Sequence, residues 1–360
     1  MVQPHISLNS QPLNTMPVNQ GPMEQTVHHC STLTISGHCR GVEADMFGGS
    51  ITTSTRRLFD FQNASTSVDS AFLGSGLPVI SILEMAGIQH LNDVFENFIN
   101  DIHPDWRIQL SDVTDFAYDM DVDDKILTLN SHGMNASNAL QSNYFAPQII
   151  LALIEGLRMV RHVELLDGAL EQYSPQMVIR IGRICMADCV TQTIKTAWDA
   201  KNDGYDASWK HLICGDYGQM AHKFASVMET FLLSNMDGDM AYNQSMAIMF
   251  NDWFALEDKI FQCDHESLNM IDDMIADDVQ FGEKTLQSLT IACLTTTAGD
   301  TMTYLQKPHV DDIADNPYYT SVQNPINRAH LSQLMNDMQS TLVDGVQFRD
   351  GALAARFMNQ

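Results

Sequence analysis

The stretch from Tyr144 to Ala200 limits what this chain can become more than any other part of it. It reads YFAPQIILALIEGLRMVRHVELL, then a short polar break, then SPQMVIRIGRICMADCVTQTIKTAWDA. Apolar residues recur at three- and four-residue steps on both sides of the break, which is the pattern of two long helices. Pro147 suits a first helical turn, and Asp167-Gly168 begins the end of that helix near Leu166. Ser174 reads as an N-cap with Pro175 at the first helical position, and Asn202-Asp203-Gly204 ends the second helix. A connection this short makes the pair an antiparallel helical hairpin.

The polar residues inside the hairpin are its candidate chemistry. At ~100° per residue, Glu155, Arg158 and His162 fall on one stripe of the first helix, and Glu164 lies on the far, solvated side. Polar groups on an apolar stripe need partners when buried. One reading is a catalytic set, with Glu155 as base or ligand, His162 as ligand or proton carrier and Arg158 as anion holder. The alternative is an i,i+3 Glu155–Arg158 ion pair beside a packed histidine. On the second helix, Asp188 stands among apolar neighbours in RICMADC and reads as buried and hydrogen-bonded. Cys185 and Cys189 at i,i+4 could grip a metal, but read more simply as core residues.

Around the hairpin the chain divides into three parts. Residues 1–75 are rich in Ser, Thr, Asn, Gln and Gly and read as a disordered polar arm. The arm carries His28-His29-Cys30 and His38-Cys39, whose spacing fits no standard zinc finger. Residues 76–300 read as the folded domain. Within it, Ser81–Ile99 has helical periodicity, while 106–110, 115–119 and 125–129 read as strands of a small antiparallel hairpin or sheet, with a turn at 121–124. Ser131–Asn143 reads as a polar loop. Further helices are expected over 207–213, 216–233, 244–263 and 266–277, with Asp216 as a cap, and Ser288–Thr297 is ambiguous. Residues 301–360 read as an extension with one helix near 328–342. The fold class is α+β, predominantly helical.

Composition narrows the function. The net charge of −26 repels phosphate backbones and anionic membrane surfaces, which argues against nucleic acid and membrane as partners. A protein or peptide partner remains. No apolar run nears the ~20 residues of a membrane span. Seven scattered cysteines and no visible signal peptide point to a reducing, cytoplasmic setting. The 22 methionines, Met228, Met236, Met240, Met246 and Met249 among them, read as adaptable core filler. His265-Glu266-Ser267-Leu268-Asn269 has the opening of an HExxH motif and lacks its second histidine. Asp237-Gly238-Asp239 lacks the downstream Glu of a calcium loop. No GxGxxG, GxxxxGK or GxSxG motif occurs.

Over roughly Leu77 to Ala276 the chain resembles an uncharacterised bacterial family, best represented in alphaproteobacteria and classed with the zincin-like metallopeptidases. The resemblance is carried by LALIEGLRMVRH, RIGRICMADCVTQTIKTAWDA, SWKHLICGDYGQMAHKFA, FNDWF and CDHESLNMIDD. It implies a β-hairpin, then a helix bearing the HExxH-type residues, then a helix bearing Glu-Ala-Asp. With Glu155 in the place of the catalytic glutamate, the histidine positions hold Ile154 and Arg158, and the Glu-Ala-Asp glutamate falls on Met186. Isoleucine cannot bind zinc, arginine repels it, and methionine is a poor ligand beside harder donors. This register implies no tightly held zinc and no hydrolysis. A second register would place a metal on His162 and Asp188 beside Glu155. The two function classes to separate are a metallopeptidase with degenerate ligands and a non-catalytic interaction scaffold built on the same fold.

Overall fold

A computed structural model describes residues 49–52, 78–112, 116–166, 169–277, 279–297, 302–338, 341–343 and 346–348. The His28–Cys39 cluster and most of the polar arm lie outside them. The four arm residues that are described form β1 (Gly49–Thr52).

The first helical segment is broken, not continuous. It forms α1 (Val79–Met85) and α2 (Asn92–Asn100), with Gly87 at φ 72° between them. A left-handed residue stops a helix, and glycine adopts that conformation without steric cost. Next come β2 (Arg107–Ser111), β3 (Tyr118–Asp121) and β4 (Ile126–Asn130). The strand order is β1-β3-β4-β2. The expected antiparallel hairpin is β3–β4, but β2 runs parallel to β4 and β1 parallel to β3, so the sheet is mixed. In the β3–β4 pairing Tyr118 faces Leu129 and Met120 faces Leu127, and all four are buried. That is the period-two alternation of a sheet with one covered face.

The cover is the helical hairpin. After a short helix α3 (Ala136–Gln141), in the stretch read as a loop, come α4 (Phe145–Leu166) and α5 (Pro175–Asn202). The sheet strands β3 and β4 both pack on α4. At Gly156 the approach is so close that a Cβ would stand 2.8 Å from Leu127 Cδ1. Helix α5 is buried around much of its circumference and packs against α4 and against three of the helices that follow it, which makes it the axis of the core.

The outer helices are α6 (Ala207–Cys214), α7 (Gly218–Leu233), α8 (Gly238–Trp253) and α9 (Glu257–Ala276). The break between the last two falls at 254–256, not at Asp264-His265 as the charge pattern suggests. Those two residues are inside α9. Asp216 does not cap α7; Tyr217 holds the cap position and Asp216 pairs with Lys259 at 2.8 Å. Ser288–Thr297 resolves into α10 (Ser288–Leu294). Beyond it are α11 (Lys307–Asp315), α12 (Pro317–Thr320) and α13 (Pro325–Met338), then a small hairpin of β5 (Thr341–Val343) and β6 (Val346–Phe348). Among the described residues of 301–360 there are thus three helices where sequence patterning yields one. Of the five methionines read as core filler, Met228, Met246 and Met249 are buried and Met236 is partly so, but Met240 is exposed. No helix among the described residues is long and apolar enough to cross a membrane.

Candidate functional site

The stripe on α4 and the aspartate on α5 meet inside the protein. Glu155, Arg158, His162 and Asp188 are each at most 1% exposed. Arg158 Nε donates to Asp188 Oδ2 at 2.5 Å, so the guanidinium pairs across the hairpin with Asp188. His162 Nε2 lies 2.9 Å from Asp188 Oδ2 and 3.0 Å from the Leu294 carbonyl. Tyr304 donates its hydroxyl to Asp188 Oδ1 at 2.9 Å. One carboxylate therefore receives donors from a guanidinium, an imidazole and a phenol. Glu155 stands apart from that carboxylate, toward the sheet, where the Tyr118 hydroxyl donates to its Oε1 at 3.5 Å.

The tautomer of His162 follows from its neighbours. Both groups at Nε2 can only accept, so Nε2 carries the hydrogen. Nδ1 is left as an acceptor facing the Cys189 thiol at 3.7 Å. Thiol, imidazole and carboxylate thus stand in the order of a nucleophilic relay. The electrostatics oppose that use. Burial, with Asp188 nearby, pushes the Cys189 thiol well above its usual range, so it stays protonated. Burial also lowers the His162 pKa despite its bond to Asp188, which keeps the ring neutral. Burial alone would raise Asp188, but Arg158 and His162 hold it below the usual carboxylate range.

Arg158 belongs to a wider pattern. Its Nη2 donates to Leu294 O at 3.0 Å, the last carbonyl of α10, and to Thr296 O at 2.5 Å, two residues beyond it. Arg183 on α5 donates to Asp264 through Nε at 2.5 Å and Nη2 at 2.7 Å, and to Tyr319 O and Ser321 O at the end of α12. Arg180 Nη2 donates to Ala314 O, at the end of α11. The last carbonyls of a helix have no partner within it and carry the negative end of its dipole. Three arginines of the hairpin satisfy them for three successive short helices. The planar fork of arginine suits this task, since one side chain can reach a carboxylate and two carbonyls together.

Zinc fits this arrangement poorly. Ile154 is buried and aliphatic, Arg158 is committed to Asp188, and Met186 packs against the core. In the second register, His162 and Asp188 are close enough to share an ion, but each is bonded to the other, with the guanidinium on the same carboxylate oxygen. A cation there would displace the hydrogen on Nε2 and meet the charge of Arg158. No cluster of three or more His, Cys, Asp or Glu suited to a metal occurs among the described residues.

Other candidates fall elsewhere. Cys185 is buried near Asp188 with its pKa raised by burial. Glu164 is not free in solvent but accepts from Trp106 Nε1 at 2.9 Å and the His103 amide. His265 stacks on Phe261, and Asn269 lies one turn further along α9. Sequence reasoning missed Tyr304, Arg180, Arg183 and Asp264. The available signal was an arginine pair, Arg180 and Arg183, inside the apolar run Val178–Ile184: charges buried there require partners. Compared with protein-family models, curated proteins and solved structures, the chain matches none.

Proposed function

We propose that this chain is a non-catalytic helical interaction protein built on a metallopeptidase-like hairpin. The polar stripe of α4 serves it as a structural lock. What supports the kinship is the order of elements: the antiparallel β3–β4 pair, then the Glu155 helix, then the Asp188 helix. What supports the loss of chemistry is one observation above the rest. Asp188 is fully buried and engaged by Arg158, His162 and Tyr304, so the groups a substrate or metal would need are already bonded to one another. Buried charges in such a set hold neighbouring elements in register.

The test is elemental analysis of protein purified without a metal-affinity tag, before and after incubation with zinc and dialysis. Substoichiometric zinc in both samples, with no cleavage of a mixed peptide library, is the expected result. One zinc per chain retained through dialysis would overturn the reading and favour an active peptidase.

A further inference from the structure

The tip of the α7–α8 hairpin carries apolar side chains that the core does not use. Leu232 is 48%, Leu233 84% and Met240 53% exposed. Partly buried Met236 packs on the core between them in sequence. The turn that presents them is well defined. Asn235 takes φ 55°, and the Met236 amide bonds Phe231 O at 3.1 Å to close α7. Asp237 Oδ1 then accepts from the Asp239 and Met240 amides to open α8. The tip is therefore held in shape before any partner arrives, which lowers the ordering cost of binding.

Its charge selects the partner. Glu229, Asp237 and Asp239 are exposed on the same tip. No Lys, Arg or His occurs between Lys223 and Lys259. Those two lysines are themselves paired, Lys223 with Asp252 at 2.6 Å and Lys259 with Asp216 at 2.8 Å. Exposed leucines and a methionine on a hairpin tip whose exposed charges are carboxylates suit a ligand with an apolar stripe flanked by cations. Methionine adapts to varied side chains, and a basic amphipathic helix supplies such a stripe at i, i+3, i+4 and i+7. A second copy of this chain suits the tip less well. It would bring like carboxylates together, on molecules that each carry a net charge of −26.

We infer that the α7–α8 tip is a docking surface for a basic amphipathic helix of another protein. The inference deepens the interaction reading above and names its partner chemistry. It is tested with an 18-residue Leu/Lys peptide whose leucines share one helix face, and with a scrambled peptide of the same composition. Fluorescence anisotropy near physiological salt reads the affinity. The amphipathic peptide is expected to bind about tenfold tighter than the scrambled one, and the variant L232S/L233S/M240S to lose about tenfold. Glu229→Gln with Asp239→Asn should weaken binding and flatten its salt dependence. All three apolar positions are exposed, so an unchanged melting temperature is expected, and Leu233→Ser alone should give a smaller loss in the same direction. Equal binding of both peptides, or full binding by the triple variant, overturns the inference. So does a concentration-dependent dimer that the triple variant abolishes. None of these outcomes bears on zinc content, so the surface can fail while the non-catalytic reading stands.

Discussion

Two buried arginine–aspartate pairs meet at α5, one with α4 and one with α9, and behave differently. In the first, Asp188 receives Arg158, His162 and Tyr304. In the second, Asp264 receives Arg183 through two nitrogens. Both guanidiniums also reach the end carbonyls of short C-terminal helices. The carboxyls shift in opposite directions. Burial pushes both up; at Asp264 it prevails over Arg183, whereas at Asp188 Arg158 and His162 together prevail over it. A buried ion pair is thus not a unit of fixed strength. Burial opposes the charge in both, and the donors on the carboxylate decide whether that opposition is overcome.

The sharpest way to break this comparison is to remove each carboxylate. Asp188→Leu leaves a guanidinium, an imidazole and a phenol without their shared acceptor, and should cost about 3–5 kcal/mol in urea denaturation. Asp264→Leu strands one guanidinium that keeps its two carbonyls, so it should cost less. Equal losses would show that the extra donors carry no weight. The paired variant Arg158→Met/Asp188→Leu should recover part of the loss, because it also removes the unpaired charge; a strictly additive double variant would argue against direct coupling.

A smaller effect is expected from Tyr304→Phe. It removes one hydrogen bond to a charged acceptor and should destabilise by about 1.5–3 kcal/mol. No change would mean that Arg158 and His162 alone set the Asp188 carboxyl.

The pH dependence separates the pairs by sign. His162 has a lowered pKa in the folded chain, so its contribution is full above the unfolded value of about 6.5 and is lost as pH falls below it. Asp188, also lowered, contributes above about 4 and loses its contribution as pH falls further. Asp264 is raised, so its contribution is largest at low pH and is lost as pH rises through its folded value. His162→Gln should therefore flatten the decline in stability between neutral pH and pH ~5. An unaltered slope would place that titration elsewhere. The smallest effect belongs to Gly156→Ala, where Leu127 must give way on β4, costing about 1 kcal/mol or more in the same denaturation assay. A gain in stability would mean that the side chain moves freely.

Much of the hairpin was legible because its signals are local. The spacing of Glu155, Arg158 and His162, the Ser174-Pro175 start and the Asn202-Asp203-Gly204 stop all act within a few residues. The α8–α9 boundary was not, since Phe254-Ala255-Leu256 contains neither glycine nor proline and Asp264-His265 has the look of a helix start. Pro308 and Pro317 do mark the starts of α11 and α12, and that signal was available.

By itself, then, the amino-acid order determined that two long helices would bring a polar stripe and Asp188 into an apolar interior. Periodicity and capping are properties of neighbours along the chain. Only the tertiary structure decided what those polar groups would bind. Leu294, Thr296 and Tyr304 lie more than a hundred residues from Arg158 or Asp188. A buried charge demands a partner wherever the fold can supply one, and no local pattern records which distant segment that will be.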